Sequence, residues 1–304
     1  MSFPESVAEA PATAAPRAQA AALVVSGSLE IGAHRPQDAA SIAALLPSGT
    51  PVYVNHLPRH RLLDTLPTLI AVREAGLEPV PHIAARRIES SAELEAYLKR
   101  AVRDAGVQKA LVIGGDTPDP RGPYSDGAAI IRSGLLAAAG LREIGIPGYP
   151  EGHPRIAQAT LERAFADKRA LLDSQGLGAY VVTQFSFAPA RVVEYCASLA
   201  RSAPNVPVYV GLAGPTNPVA LLRFAQHCGV SASLRALRAQ GMDAVRLVTH
   251  TDPSDQLAAV TRYCATHADC NVVGIHLFTF GGVAPAAQWM NRQLSPDRVR
   301  GVNA

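Results

Sequence analysis

The chain predicts a single (β/α)8 barrel, eight parallel strands each followed by a helix, and three observations carry that expectation. Eight short apolar, β-branched runs recur along the 304 residues, and longer stretches of helical periodicity separate them. No Gly-x-Gly-x-x-Gly turn follows the first run, which favours closure over an open dinucleotide-binding sheet. The open doubly wound sheet is the competing arrangement.

Residues 1–20 are rich in Ala and Pro, without a basic start or an apolar run, and read as a disordered tail ahead of a barrel over 21–304. The first strand is expected in AALVVSGSLEI (21–31), the second in PVYVNH (51–56), the third in EPVPHI (78–83). SSAELEAYLKRAVRDAG (90–106) follows, with Leu94, Leu98 and Val102 recurring every fourth residue, as one face of a helix requires. Ser90 with Glu93 offers a capping box and Gly106 a C-terminal stop. The remaining strands are expected in KALVIGGD (109–116), IGIPGY (144–149), AYVVTQF (179–185), VPVYVGL (206–212) and NVVGIHLF (271–278). The stretch 213–270 is long for one crossover; helical patterns lie around Val230–Gln240 and Asp255–His267, and an extra helix, or a strand near Ala244–Val248, is expected there.

A hydrophobic content of 48% over this length supports a large core, and 28 Lys and Arg against 25 Asp and Glu leave a formal charge of only +3. No like-charge run concentrates it, so neither nucleic acid nor a membrane surface is an expected partner. No 18-residue apolar segment suggests a membrane span, and the cytoplasm is the default location. The four cysteines, Cys196, Cys228, Cys264 and Cys270, show no CxxC spacing, so no metal site or redox dithiol is indicated and they read as reduced and structural.

In such a barrel the βα loops converge at the C-terminal strand ends and form the active site there. Polar residues collect at those ends: Glu30, Asn55 and His56, His82, Asp116, Tyr149 with Glu151 and His153, Gln184, and His276. Closing so many apolar strands with polar groups is costly unless they share a pocket. Taken singly, each has a structural reading as well: Glu30 as an ion-pair group, a histidine as a satisfied core residue, Gly114-Gly115-Asp116 as a tight turn with Asp116 capping a helix.

At these ends the chain resembles the methylenetetrahydrofolate reductases, from about Val24 to Met290. The likeness rests on Ser28-Leu29-Glu30, Pro81-His82-Ile83, Gly115-Asp116, Tyr149-Pro150-Glu151-Gly152-His153-Pro154, Thr183-Gln184-Phe185-Ser186-Phe187 and His276-Leu277-Phe278-Thr279. The resemblance implies reduction of 5,10-methylenetetrahydrofolate to 5-methyltetrahydrofolate, or the reverse, with electrons from NADH or NADPH carried by FAD. It places Glu30 as general acid, with burial beside Leu29 and Ile31 expected to raise its pKa. Asp116 becomes the carboxylate facing the pterin, and Gln184, Phe224 and Phe278 the folate contacts. It assigns cofactor contacts to Asn55, His56, His82, Gly114, Gly115, Asp116, Tyr124, Tyr149, His153 and Lys168.

Three positions depart from the family pattern. Gly114 stands where an Arg often precedes Gly-Asp, Lys168 and Arg169 lie out of register with a common Lys, and Gly281-Gly282 replaces Asn-Arg after the last strand. All three surround the cofactor, so flavin is expected to be held loosely or not at all. A pterin-dependent methyltransferase and a non-catalytic folate-binding protein are the alternatives, and homo-oligomerisation is left open.

Overall fold

A computed structural model describes residues 14–56, 60–227, 230 and 253–294. Eight strands close into one parallel barrel in chain order. They are β1 (Ser28–Ile31), β2 (Pro51–Val54), β3 (Glu78–Ala84), β4 (Lys109–Ile113), β5 (Glu143–Gly148), β6 (Gly178–Thr183), β7 (Val208–Ala213) and β8 (Val272–Phe278). The seam between first and last strand is short, with Ser28 opposite His276 and Leu29 opposite Leu277.

Period-two alternation sorts the side chains. Leu29, Ile31, Val52, Val54, Ile83 and Val112 point outward into one large core with the surrounding helices. Tyr53, Val80, Leu111, Tyr180 and Val182 pack against one another inside the barrel. The helix expected after β3 forms as α4 (Ser91–Ala105) and buries Leu94, Tyr97, Leu98 and Ala101 on one face. Ser90 Oγ accepts from Glu93 N at 3.1 Å, and Gly106 ends the helix at φ 65°. The Glu93 carboxylate reaches Glu89 N rather than the Ser90 amide, so the box is displaced by one residue. The later helix is present over Ser254–Thr266; the patterns at 231–240 and 244–248 lie outside the described residues.

The start of the chain differs from expectation. Ala14–Val25 is a helix, α1, that packs on β8 and on the helix Ser254–Thr266, and β1 begins only at Ser28. Alanines are the strongest helix formers, and their run carries Val24 and Val25 into the helix despite the strand preference of valine. The predicted tail therefore gives way to helix from Ala14; residues 1–13 lie outside the description.

The described cysteines, Cys196, Cys264 and Cys270, are free thiols as expected, and Cys228 lies outside the described residues. Cys264 and Cys270, six residues apart in sequence, bring their sulfurs to 2.9 Å and are each partly exposed. They form a close thiol pair that no short spacing motif announces. No described helix is long and apolar enough to cross a membrane.

Candidate active site at the barrel mouth

Outward packing of Leu29 and Ile31 turns Glu30 into the barrel near the C-terminal end of β1, where it is 7% exposed. Its Oε1 lies 3.4 Å from His276 Nε2 on β8 and 3.7 Å from His82 Nε2 on β3, the latter within ion-pair range but beyond a hydrogen bond. Asn55 Nδ2 donates to Oε2 at 3.4 Å. On its other side, His276 Nδ1 meets Ser28 Oγ at 2.8 Å. Ser28, His276 and Glu30 thus form a chain of polar groups across the barrel seam, flanked by the Tyr53 ring, 4.6 Å from the His276 ring.

The charge state of this cluster overturns one expectation. Burial pushes the Glu30 pKa up, but the His276 hydrogen bond, the electrostatic pull of the His82 and His276 rings, and the Asn55 amide together outweigh it, and the net shift is downward. At neutral pH Glu30 is a carboxylate. His82 is lowered to about 4 by burial, against the opposing pull of Glu30 and with His276 adding to the fall, so it is neutral.

Asp116 follows β4, after Gly115 at φ +89°, a left-handed turn that suits glycine. Its carboxylate Oδ1 pairs with the Arg87 guanidinium, which also donates to the His56 carbonyl. The Arg87 side chain is 6% exposed and that of Asp116 44%, so a buried cation anchors a carboxylate that reaches the mouth. Sequence reasoning missed Arg87; the Arg86-Arg87 pair four residues beyond His82 was the available signal. His56 is itself lowered to about 4, by burial first and then by Arg87.

The aromatic residues gather opposite. Phe280 stacks on Phe224 at 4.4 Å and lies parallel to Phe278 at 5.6 Å, while Phe185 packs against Phe187, Phe278 and Phe280. Gln184 lies at the end of β6 with its Oε1 accepting from Phe185 N at 3.1 Å. Phe280, Phe185 and Phe187 extend the platform that Phe224 and Phe278 begin; the run of alternate phenylalanines at 278 and 280 was the signal for the first of them.

Of the residues that the resemblance nominates for flavin, Asn55, His56, His82 and Asp116 gather around Glu30 and Arg87, while Tyr124 lies elsewhere. Tyr124 is 4% exposed, with its hydroxyl on Ser91 Oγ at 3.0 Å, inside the helix-facing core rather than at the mouth. An aromatic in a long loop anchors that loop to α4. Arg86 donates to the carbonyls of Ser125 and Thr117, and Arg87 is spoken for by Asp116. Lys168 is lowered by burial, with Asp126 opposing the shift. His153 is lowered by partial burial and by Arg155, and its ring stacks edge-on to Tyr149 at 5.3 Å. Gly114 faces open space. A dinucleotide flavin needs its two phosphate charges neutralised; Arg86 and Arg87 are engaged by the protein, which leaves Lys168, whose charge burial disfavours, and the lowered His153. This set does not fit resident FAD.

Comparison with known proteins bears on the fold and the family. A solved structure of an uncharacterised protein from Clostridium thermocellum, said to bind two copies of 5-methyl-5,6,7,8-tetrahydrofolic acid, superposes with a TM-score of 0.61 at 10% identity, over 90% of this chain and 95% of that one. A dihydropteroate synthase from Thermus thermophilus is 16% identical over 90% of this chain and 92% of its own, with a TM-score of 0.47. The first likeness shows the barrel fold. The family profile described as methylenetetrahydrofolate reductase matches residues 65–283, the greater part of the chain, from before β3 to beyond β8. The chain belongs to the methylenetetrahydrofolate reductase family.

Proposed function

We propose that the protein reduces 5,10-methylenetetrahydrofolate to 5-methyltetrahydrofolate with NADH or NADPH. The observation that carries this reading is Glu30, buried at the end of β1 and tied through His276 to Ser28. A protein that only holds folate has no use for a proton relay beneath its ligand, whereas reduction of the methylene bridge consumes a proton. Methyl transfer from folate also places a proton on N5 as the methyl leaves, and NAD(P)H oxidation separates it from reduction. The C–N10 bond breaks as N10 takes a proton, the carbon becomes an N5 iminium, and a hydride then adds to that carbon.

The residues supply the parts in place. Glu30, charged from its relay, protonates N10. Asp116, held by Arg87, puts negative charge near the developing cation. The phenylalanines provide a flat apolar surface that excludes water. Because the cation set does not suit resident FAD, hydride is expected to pass directly from nicotinamide, a co-substrate that leaves each cycle and tolerates weak binding. The folate bound by the Clostridium thermocellum protein supports the substrate class.

The test is a purified preparation whose visible spectrum is recorded with and without FAD, followed by NAD(P)H oxidation on adding methylenetetrahydrofolate. Turnover without bound flavin is the expected result. Absence of NAD(P)H oxidation in both conditions would discard the reductase reading, and oxidation only with FAD would restore the flavin.

A further inference from the structure

The lower half of a barrel of this kind is ordinarily filled by branched aliphatic side chains. Here hydroxyls occupy it. Ser28, Tyr53, Tyr180 and Tyr209 line a small cavity at the N-terminal end of the strands, together with Lys109 and Glu143. Glycines make the room: a Cβ at Gly145 would lie 2.8 Å from the Tyr180 ring, and one at Gly274 3.1 Å from the Tyr209 ring. The cavity, about 10 Å³ for the centre of a water molecule, is just large enough for one water beside these polar side chains.

Its two ends differ. The inner wall is Ser28, 1% exposed and bonded to His276 at 2.8 Å. The outer wall is the Lys109–Glu143 ion pair, whose side chains are 26% and 46% exposed, with Glu78 on the other side of Lys109. Between them the Tyr53 hydroxyl donates to that of Tyr180 at 3.1 Å. Burial raises the pKa of both phenols, so they remain O–H groups able to donate and accept.

We propose that this cavity is a proton inlet that recharges Glu30 from the face of the barrel opposite the substrate mouth. The inference rests on the reductase reading, in which each turnover consumes one proton while two ligands cover the mouth. His276 passes its Nε2 proton to the Glu30 carboxylate as Ser28 passes its hydroxyl proton to Nδ1. A water in the cavity gives a proton to the Ser28 oxygen, and the hydroxide so formed is reprotonated through the tyrosine hydroxyls from solvent at the Lys109–Glu143 rim. One proton enters at the rim, one arrives at Glu30, and no charge is left inside the barrel; His276, left with its proton on Nδ1, restores the Nε2 proton by a turn of its ring before the next cycle. Tyr53 and Tyr180 are positioning residues that never touch the substrate.

The experiment removes two oxygens and nothing else. Tyr53→Phe and Tyr180→Phe keep the rings that pack on His276 and Tyr209, and each should lower kcat on the order of tenfold and enlarge the solvent deuterium isotope effect on kcat, with the folate KM unchanged. A purely structural role would not move the isotope effect. Folded variants with unchanged kcat and isotope effect overturn the inlet. If a variant fails to fold, Tyr209→Phe at the outer wall replaces it under the same criteria. If the unmodified protein shows no reductase activity, that reading falls separately. The inlet is then decided by ¹⁵N NMR of the His276 ring: slower exchange of its N–H with water in the two variants supports it, and unchanged exchange refutes it.

Discussion

Glu30 sits among groups that stabilise its charge, so in the proposed reaction its proton is delivered to it for use rather than stored. Glu30→Gln keeps the shape and the contact with His276 but cannot transfer a proton. Folate reduction should be abolished while the thermal unfolding midpoint stays within a few degrees, measured by NAD(P)H oxidation and circular dichroism. Near-normal turnover by the folded variant would take Glu30 out of the chemistry. Asp116→Asn removes both the charge at the mouth and the counterion of the buried Arg87. Folate affinity and turnover should fall by about 2 to 4 kcal/mol, with a loss of stability alongside, read by titration and urea unfolding. Stability loss with unaltered affinity and turnover would reduce Asp116 to an anchor for Arg87. Glu30 was legible in the sequence because alternation along a short apolar strand dictates which way it points. Its charge state was not, because the groups that set it include His276, 246 residues away.

At the scale of elements, all eight strands were legible because β-branched runs bounded by turns leave little choice. The exception was the edge of the first, where an alanine run competed with two valines and won. Loops were harder. Tyr124 lies in a loop whose path depends on a hydrogen bond to α4, and no pattern along the chain reports that contact. The loop after β4 yields the sharpest test of the cofactor assignment. Nothing lies within 4 Å of a Cβ built at Gly114, so the side chain of Gly114→Arg starts into open space and introduces a cation there. Isothermal titration of the apoprotein should show FAD binding weak in the original chain and tighter in the variant. Tight binding by the original would mean that the engaged cations rearrange around the flavin.

Over the whole molecule, His56 and His82 set the response to acid. Both are lowered from 6.5 to about 4, chiefly by burial. The unfolded chain therefore binds protons at these sites between pH 6.5 and 4 while the native protein does not. Their contribution is fully present above pH 6.5 and is lost as pH falls toward 4, on the order of 3 kcal/mol for each histidine. Glu30, also lowered, adds in the same direction below the ordinary carboxylate range. Urea midpoints from pH 7.5 to 4.5 should decline steadily, and the decline should shrink in His56→Gln; a flat profile would refute the assignment. The seam carries a different consequence. The Ser28–His276 bond joins residues 248 apart and bridges the first strand to the last. Closing so long a loop comes late and costs chain entropy. A chain still emerging from the ribosome, or a fragment ending before β8, contains Glu30 but lacks the His276 partner that the proposed relay requires. If the reductase reading holds, the first turnover of substrate in refolding times the moment at which the barrel shuts.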